Sequence, residues 1–298
     1  MAKQSKYGAS RALVRRETTA AYLFLLPSLI FFLGFVVYPM VTCFINSFTQ
    51  YNVSGHTFSV DTMFDNYIRM FNDKVFWRGL WNTILIVVVS VPVVTAFSLW
   101  VGAAIYRMGA KTRSFFRCIF YLPVVTGTVA VAVVWKWMFN KYTGLFNYVL
   151  GTDIGWLGDE RFAIWCIILI LFTTSIGQPI VLYVAALGNV DTSMIEAAQV
   201  DGATEMQVFW KIKWPQIMPT TLYILVITTI NSFQCFALIQ LLTSGGPNHA
   251  TDTIMYYIFQ MAYNNQNFGY ANAMGVVLAI IIAIFSAIQF KFAKTDNG

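Results

Sequence analysis

Charge is what this sequence has least of. Lys, Arg, Asp and Glu together make up 11% of its 298 residues, against roughly 25% in an ordinary soluble domain. Hydrophobic residues make up 58% and aromatics 17%, and the mean hydropathy is +0.63. A water-soluble globule of about 300 residues still exposes roughly a quarter of its unfolded surface, too much to hide that apolar content. The shortage of charge therefore excludes an ordinary soluble enzyme, and the abundance of apolar residues excludes disorder. Cysteine is scarce too. Cys43, Cys118, Cys166 and Cys235 form no Cys-x-x-Cys pair, so no disulfide framework and no zinc or redox motif is indicated. No Gly-x-x-x-x-Gly-Lys run occurs, so the chain has no loop to cradle ATP phosphates. No catalytic constellation and no metal cluster stands out, and the isolated His249 reads as a solvated loop residue.

Long apolar runs are what the sequence does have. A helix needs about 20 apolar residues to cross the hydrocarbon core. Six stretches qualify, near 20–47, 80–106, 117–139, 162–187, 217–242 and 271–292. Each is too long for a membrane β-strand, which needs only about ten residues. The first is too long for a cleaved signal peptide and is followed by no small-residue cleavage site. The expected fold is an all-α membrane protein: an N-terminal tail over 1–19, a six-span domain over 20–292 and a C-terminal tail over 293–298.

Basic residues set the expected orientation. Lys3, Lys6, Arg11, Arg15, Arg16, Arg107, Lys111, Arg113, Arg117, Lys211, Lys213, Lys291 and Lys294 fall on one side, thirteen of the 19 in the chain. That side is predicted to be cytoplasmic, with both termini on it. This asymmetry explains the net charge of +6 without a nucleic-acid partner.

One connection on that side, 188–215, is long for a turn between helices and carries four of the acids. It reads as two short amphipathic helices outside the bilayer. Asp191 or Ser193 caps the first, with Glu196 completing a capping box after Ser193. Gly202 makes the turn, and the second helix, 204–211, leads to Pro215. Glu196-Ala197-Ala198, Gly202, Ile212, Trp214 and Pro215 resemble the EAA loop of ABC importer permeases, with Trp214 where the family usually has leucine. Phe64-Asp65-Asn66-Tyr67, Asn82-Thr83, Trp135-Lys136-Trp137, the stretch 238–243 and Gly245-Gly246-Pro247 resemble permeases of the carbohydrate-uptake, maltose-permease-like branch. The resemblance implies the type I ABC importer permease fold, with six transmembrane helices and cytoplasmic coupling helices. It implies a place in a bacterial or archaeal plasma (inner) membrane. It implies four kinds of partner: a second homologous permease, two ABC ATPase subunits, an extracellular or periplasmic solute-binding protein, and a carbohydrate. The permease itself holds no cofactor and is not an enzyme; ATP and Mg belong to the partner ATPase. The ATPase-coupling residues it implies are Glu196, Ala197, Ala198, Asp201, Gly202, Ala203, Phe209, Ile212 and Pro215.

The translocation path is expected on the two spans flanking that loop. No acid lies inside a span, which speaks against ion-coupled transport. Lys136 reads as a snorkelling residue at an interface. Hydroxyls and amides interleaved with aromatics suit a sugar, whose hydroxyls need hydrogen bonds and whose ring face needs an apolar plate. They also suit interhelical glue. Aligned with the maltose permease, the sugar-contacting positions fall on Thr173, Ile176, Gly177, Ile180, Thr228, Ser232 and Cys235. Ile180 and Cys235 replace polar or aromatic groups there, which makes maltose itself doubtful. Gln178, Asn231 and Gln234 join them from chemistry alone, and Gly177-Gln178-Pro179 is a helix-weakening triplet, read as a packing kink or as a hinge in the path. A permease for a non-carbohydrate solute such as glycerol 3-phosphate, half of a secondary transporter, and a non-transporting membrane scaffold remain the alternatives.

Overall fold

The computed structural model describes residues 11–52, 55–57 and 62–295. Lys3, Lys6 and Asp296, which entered the charge asymmetry, lie outside the described residues. A long N-terminal helix begins the fold: α1 (Arg11–Phe32), a π-turn over Leu33–Val37, then α2 (Tyr38–Asn46). A two-stranded antiparallel hairpin follows, β1 (Gln50–Asn52) with β2 (Gly55–Thr57), the one departure from an all-helical description among the described residues. Then come α3 (Asp65–Asn72) and the 33-residue α4 (Lys74–Tyr106). At 1.5 Å per residue α4 is about 50 Å long, more than the hydrocarbon thickness. Its ends define the two ends of the bundle: a basic end at Tyr106, next to Arg107 and Arg113, and an opposite end at Asp73.

The remaining helices are α5 (Ala110–Val125), α6 (Thr128–Met138), α7 (Leu145–Leu150), α8 (Glu160–Ser175), α9 (Gly177–Gly188), α10 (Thr192–Val200), α11 (Glu205–Val208), α12 (Trp214–Phe233), α13 (Ala237–Leu242), α14 (Ile254–Phe259) and α15 (Phe268–Thr295). Among the described residues, four helical stretches are long and apolar enough to cross a membrane, Glu17–Asn46, Lys74–Tyr106, Glu160–Gly188 and Phe268–Lys291, and a fifth if the bent pair α5–α6 is taken as one span.

The expected continuous spans at 117–139 and 217–242 are both broken. α5 and α6 meet at 94°. α5 ends at Val125, and Thr126 and Gly127 both leave the helical conformation, so the chain turns there. α12 stops at Phe233, and residues 234–236 separate it from α13. The 162–187 span, by contrast, is continuous apart from a slight break at Ile176.

α9 forms the centre of the bundle. Its Ile180, Tyr183 and Leu187 are fully or almost fully buried. α4 and α5 approach it through bare backbone. A Cβ on Gly102 would stand 2.9 Å from the Cβ of Tyr183, and one on Gly177 would overlap the carbonyl oxygen of Phe120. Small residues at helix crossings are how membrane helices gain van der Waals contact when lipid removes the hydrophobic incentive. At the periphery the apolar residues face outward. No residue of Glu17–Asn46 is buried, and Ile280, Ile284 and Ile288 of α15 are exposed.

Candidate functional site

The loop at the basic end is a defined two-helix element. Asp191 is the cap of α10: its Oδ1 accepts from the Ser193 amide at 2.9 Å and the Ser193 hydroxyl at 2.7 Å. These bonds, the hydroxyl first, hold the Asp191 carboxyl below its ordinary range. Ser193 is therefore a donor to the cap and not the cap itself, and Glu196 closes no capping box. α10 ends in a left-handed turn. Gly202, at φ +80, donates to the Gln199 carbonyl at 3.0 Å, and Ala203 donates to the Ala198 carbonyl at 2.9 Å. This is the paired bonding of a Schellman motif, which needs positive φ at the second residue past the last helical one. Thr204 then opens α11 with a reciprocal capping box to Gln207.

The expected second short helix does not end at Pro215. α11 passes through a π-turn over Phe209–Lys213 directly into α12. The Trp214 amide reaches five residues back to the Phe209 carbonyl. Pro215 has no amide and its ring would clash with a carbonyl four residues back; the wider π-turn lets the helix run on. Pro39 follows the π-turn at Leu33–Val37 at the same distance.

Glu196, Ala197, Asp201, Gly202 and Pro215 are exposed, Ala198, Ala203 and Phe209 half-buried. Ile212 packs against the Tyr183–Leu187–Ile217 cluster together with Tyr106, Ile195 and Trp214. The element is seated on the end of α4. Arg107 pairs with Glu205 at 2.8 Å, Lys213 and Arg113 both lie over the Tyr106 ring, and Arg113 donates to the Tyr106 carbonyl at 2.7 Å. The Arg107 pair is exposed on both sides and contributes little. The apolar contacts fix the seat. Val200, Met206 and Trp210 stay exposed; the Trp210 indole donates to Met206 Sδ at 3.2 Å and its ring lies beside Phe209 and Trp214. Glu196 makes no ion pair among the described residues.

Two clefts open beside α12. The one nearer the basic end encloses about 600 Å³ and is lined by Thr174, Ser175, Gln178, Tyr223, Thr228 and Asn231 among apolar neighbours. The other encloses about 720 Å³ and is lined by Thr126, Thr128, Thr174, Gln234, Cys235 and Phe236 among others. None of the residues lining either cleft carries a charge. Of the residues expected on the path, Gln178, Thr228, Asn231, Gln234 and Cys235 line these clefts. Thr173 donates to the Ile170 carbonyl of its own helix at 2.8 Å. Ile176 and Ile180 are placed in the packing of α9 against α4 and α5, Gly177 against α5, and Ser232 is buried. Tyr223, Thr126 and Thr128 line the clefts without having stood out in the sequence. Only helical spacing links Tyr223 to Ile227 and Asn231, and the bend that brings 126–128 inward has no strong local signal.

A profile described as "Binding-protein-dependent transport system inner membrane component" matches residues 71–294. The chain belongs to this family. Its relatives include the "Probable ABC transporter permease protein YesP" of Bacillus subtilis, 35% identical over 287 residues that cover 93% of this chain and 91% of the relative. The "Lactose transport system permease protein LacF" of Rhizobium radiobacter is 30% identical over 291 residues, 95% of this chain and 97% of the relative. In fold, the permease matches a chain of a bacterial ABC transporter involved in import of the acidic polysaccharide alginate, with a TM-score of 0.82 and 24% identity over 94% of this chain and 96% of that one. A second structure, of an alginate transporter in complex with an alginate pentasaccharide-bound periplasmic protein, matches with a TM-score of 0.80 and 24% identity, covering 92% and 93%.

At the opposite end, the permease is clamped by residues distant in sequence. Asn82 Nδ2 donates to the carbonyls of Ala250 (3.1 Å) and Asp252 (2.9 Å). The Thr83 hydroxyl accepts from the Ile254 amide at 3.0 Å and donates to the Gly79 carbonyl at 2.7 Å. Thr253 donates to the Cys235 carbonyl at 2.9 Å, which ties the broken stretch after α12 to the same loop. Asp73 Oδ2 accepts from the hydroxyls of Tyr257 (2.6 Å) and Tyr270 (2.7 Å). Burial pushes the Asp73 carboxyl up, but these hydroxyls and the amides of Val75 and Phe76 outweigh it and hold the carboxyl below its usual range. His249 is half-exposed and pairs with the buried Asp252. Burial raises the Asp252 carboxyl, against the opposing pull of His249 and Arg78. Among the described residues, no group of three or more potential metal ligands is found.

Proposed function

We propose that this permease is the transmembrane subunit of an ATP-driven importer for a neutral oligosaccharide, placed in a bacterial or archaeal inner membrane with its basic end in the cytoplasm. It pairs there with a second, homologous permease, two ATPase subunits and an external solute-binding protein. The ATPases hold ATP and Mg; this chain supplies the path and the mechanical link. Relatives named for lactose transport and for arabinooligosaccharides support a sugar. The uncharged lining of both clefts favours a neutral one over a phosphorylated solute.

One observation carries the coupling reading: α11, joined to α10 by the Gly202 turn, runs without a break through the π-turn into α12, the helix that carries Tyr223, Thr228 and Asn231. A displacement of α10 by a closing ATPase is then a displacement of the cleft wall. Glu196, Ala197 and Ala198 lie on the surface such a subunit would meet, with Asp201, Gly202 and Ala203 at the turn. Phe209, Ile212 and Pro215 transmit the movement. The experiment is Gly202→Asp in the reconstituted complex. The variant should insert and assemble but lose ATPase stimulation by the sugar-loaded binding protein. Full stimulation in the assembled variant removes the coupling role from this loop.

A further inference from the structure

The two clefts share two lining residues, Val124 and Thr174. These side chains are the wall between them. Val124 sits against bare backbone: a Cβ on Gly177 would stand 2.8 Å from its Cγ2. The Thr174 hydroxyl is committed to the Ile170 and Leu171 carbonyls of its own helix, both at 3.1 Å. The divide offers an approaching solute little to bind.

Each side of it offers more. Towards the basic end, the side-chain amides of Gln178 and Asn231 are exposed in the cleft and form no hydrogen bond among the described residues. Ser175 and Thr228 add hydroxyls, and Tyr223, 51% exposed, adds an aromatic face. Thr174, Gln178 and Leu182 follow a four-residue spacing on α8–α9, as Tyr223, Ile227 and Asn231 do on α12, so two helix faces meet across one space. Towards the opposite end, Gln234, Thr126 and Thr128 accompany Phe236. Unpaired amides at membrane depth are costly unless water or a ligand satisfies them. Each cleft thus combines one aromatic ring, at least one free amide, hydroxyls and no charge. From Tyr223 to Gln234 the chain advances about 16 Å at helical rise.

We infer that the path holds two separate stations, each for one glycosyl unit, with Val124 and Thr174 as the divide and Tyr223 as the plate of the second. This rests on reading the clefts as the translocation path. Gln178 and Asn231 bind ring hydroxyls there, and the sugar moves from the first station to the second when α12 shifts against α5 and α9.

The test uses the whole transporter in proteoliposomes, with its partner permease, ATPases and binding protein. A broad panel of neutral sugars, including labelled lactose, raffinose and maltotriose, is scanned for ATPase stimulation and uptake. No response to any of them overturns the transport reading itself, and the stations with it. With a responding sugar, Tyr223→Ala should slow uptake about tenfold, the scale of one lost ring contact, while the half-saturating sugar concentration stays put. Tyr223→Phe should restore the rate. Wild-type uptake by Tyr223→Ala removes the second station and leaves the path reading standing. Should Tyr223→Ala fail to assemble, a cysteine at Asn231 decides. An impermeant thiosulfonate should label it from the ATPase side, and the responding sugar should protect it. Labelling that the sugar does not change overturns the second station.

Discussion

A single carboxylate, Asp73, joins three helices: it caps α4 and receives the hydroxyls of Tyr257 and Tyr270. Because its carboxyl lies below the ordinary range, the stabilisation is fully present above the unfolded carboxylate range, about pH 4. It is lost as the pH falls through the folded value. The melting temperature of the purified complex in detergent should therefore drop on acidification below about pH 4, and Asp73→Asn should flatten that drop. At neutral pH the same substitution should cost about 1–3 kcal/mol, the loss of hydrogen bonds to a charged group, visible as a lower melting temperature. Nothing in the sequence singles out Asp73. Its two tyrosines lie 184 and 197 residues away, and no local pattern connects positions so far apart. Asn82 and Thr83 were legible as part of a resemblance, yet their work as a clamp on residues 250–254 appears only when the fold brings that loop to them.

At the scale of elements, the loop at the basic end was the most legible part, since capping residues, a turn glycine and small-residue runs act locally. What the sequence hid was the continuation through Pro215, because a proline signals a stop unless a π-turn precedes it, and that choice depends on how Ile212 and Trp214 pack on Tyr106 and Leu187. Gly202 has open space around its missing side chain, so Gly202→Ala meets no clash and suffers only the left-handed backbone, about 1 kcal/mol. Hydrogen exchange should quicken in 198–204 and nowhere else. A second local element lies at the opposite end. Asn147 donates to the carbonyls of Lys141 and Ile154 and accepts from Thr152 and Trp156, closing the 141–156 loop on one side chain. Asn147→Ala should destabilise that loop by about 1–3 kcal/mol. Limited proteolysis of the intact complex should then cut at 141–156 first.

For the whole molecule, composition announced the solvent: 11% charge and a first helix with outward-facing side chains make sense only against lipid or another membrane chain. The helical class was legible for the same reason, while the bends at 126–127 and 234–236 were not. An apolar run reads the same whether it crosses straight or turns back to line a cavity. If the basic end faces the cytoplasm, an impermeant thiol reagent added to intact cells should label a cysteine placed at Tyr142 and spare one placed at Val200. The reverse pattern would invert the orientation. The clamp between Asn82 and the 250–254 loop has a consequence for synthesis. The paired groups of Asn82 and Ala250 lie 168 residues apart, so at 5–20 residues per second the ribosome needs about 10–30 s to supply the partner after Asn82 has emerged. During that interval α4 lies in the bilayer with its end unfastened. A nascent chain halted before residue 250 thus lacks the contact that closes this end of the bundle.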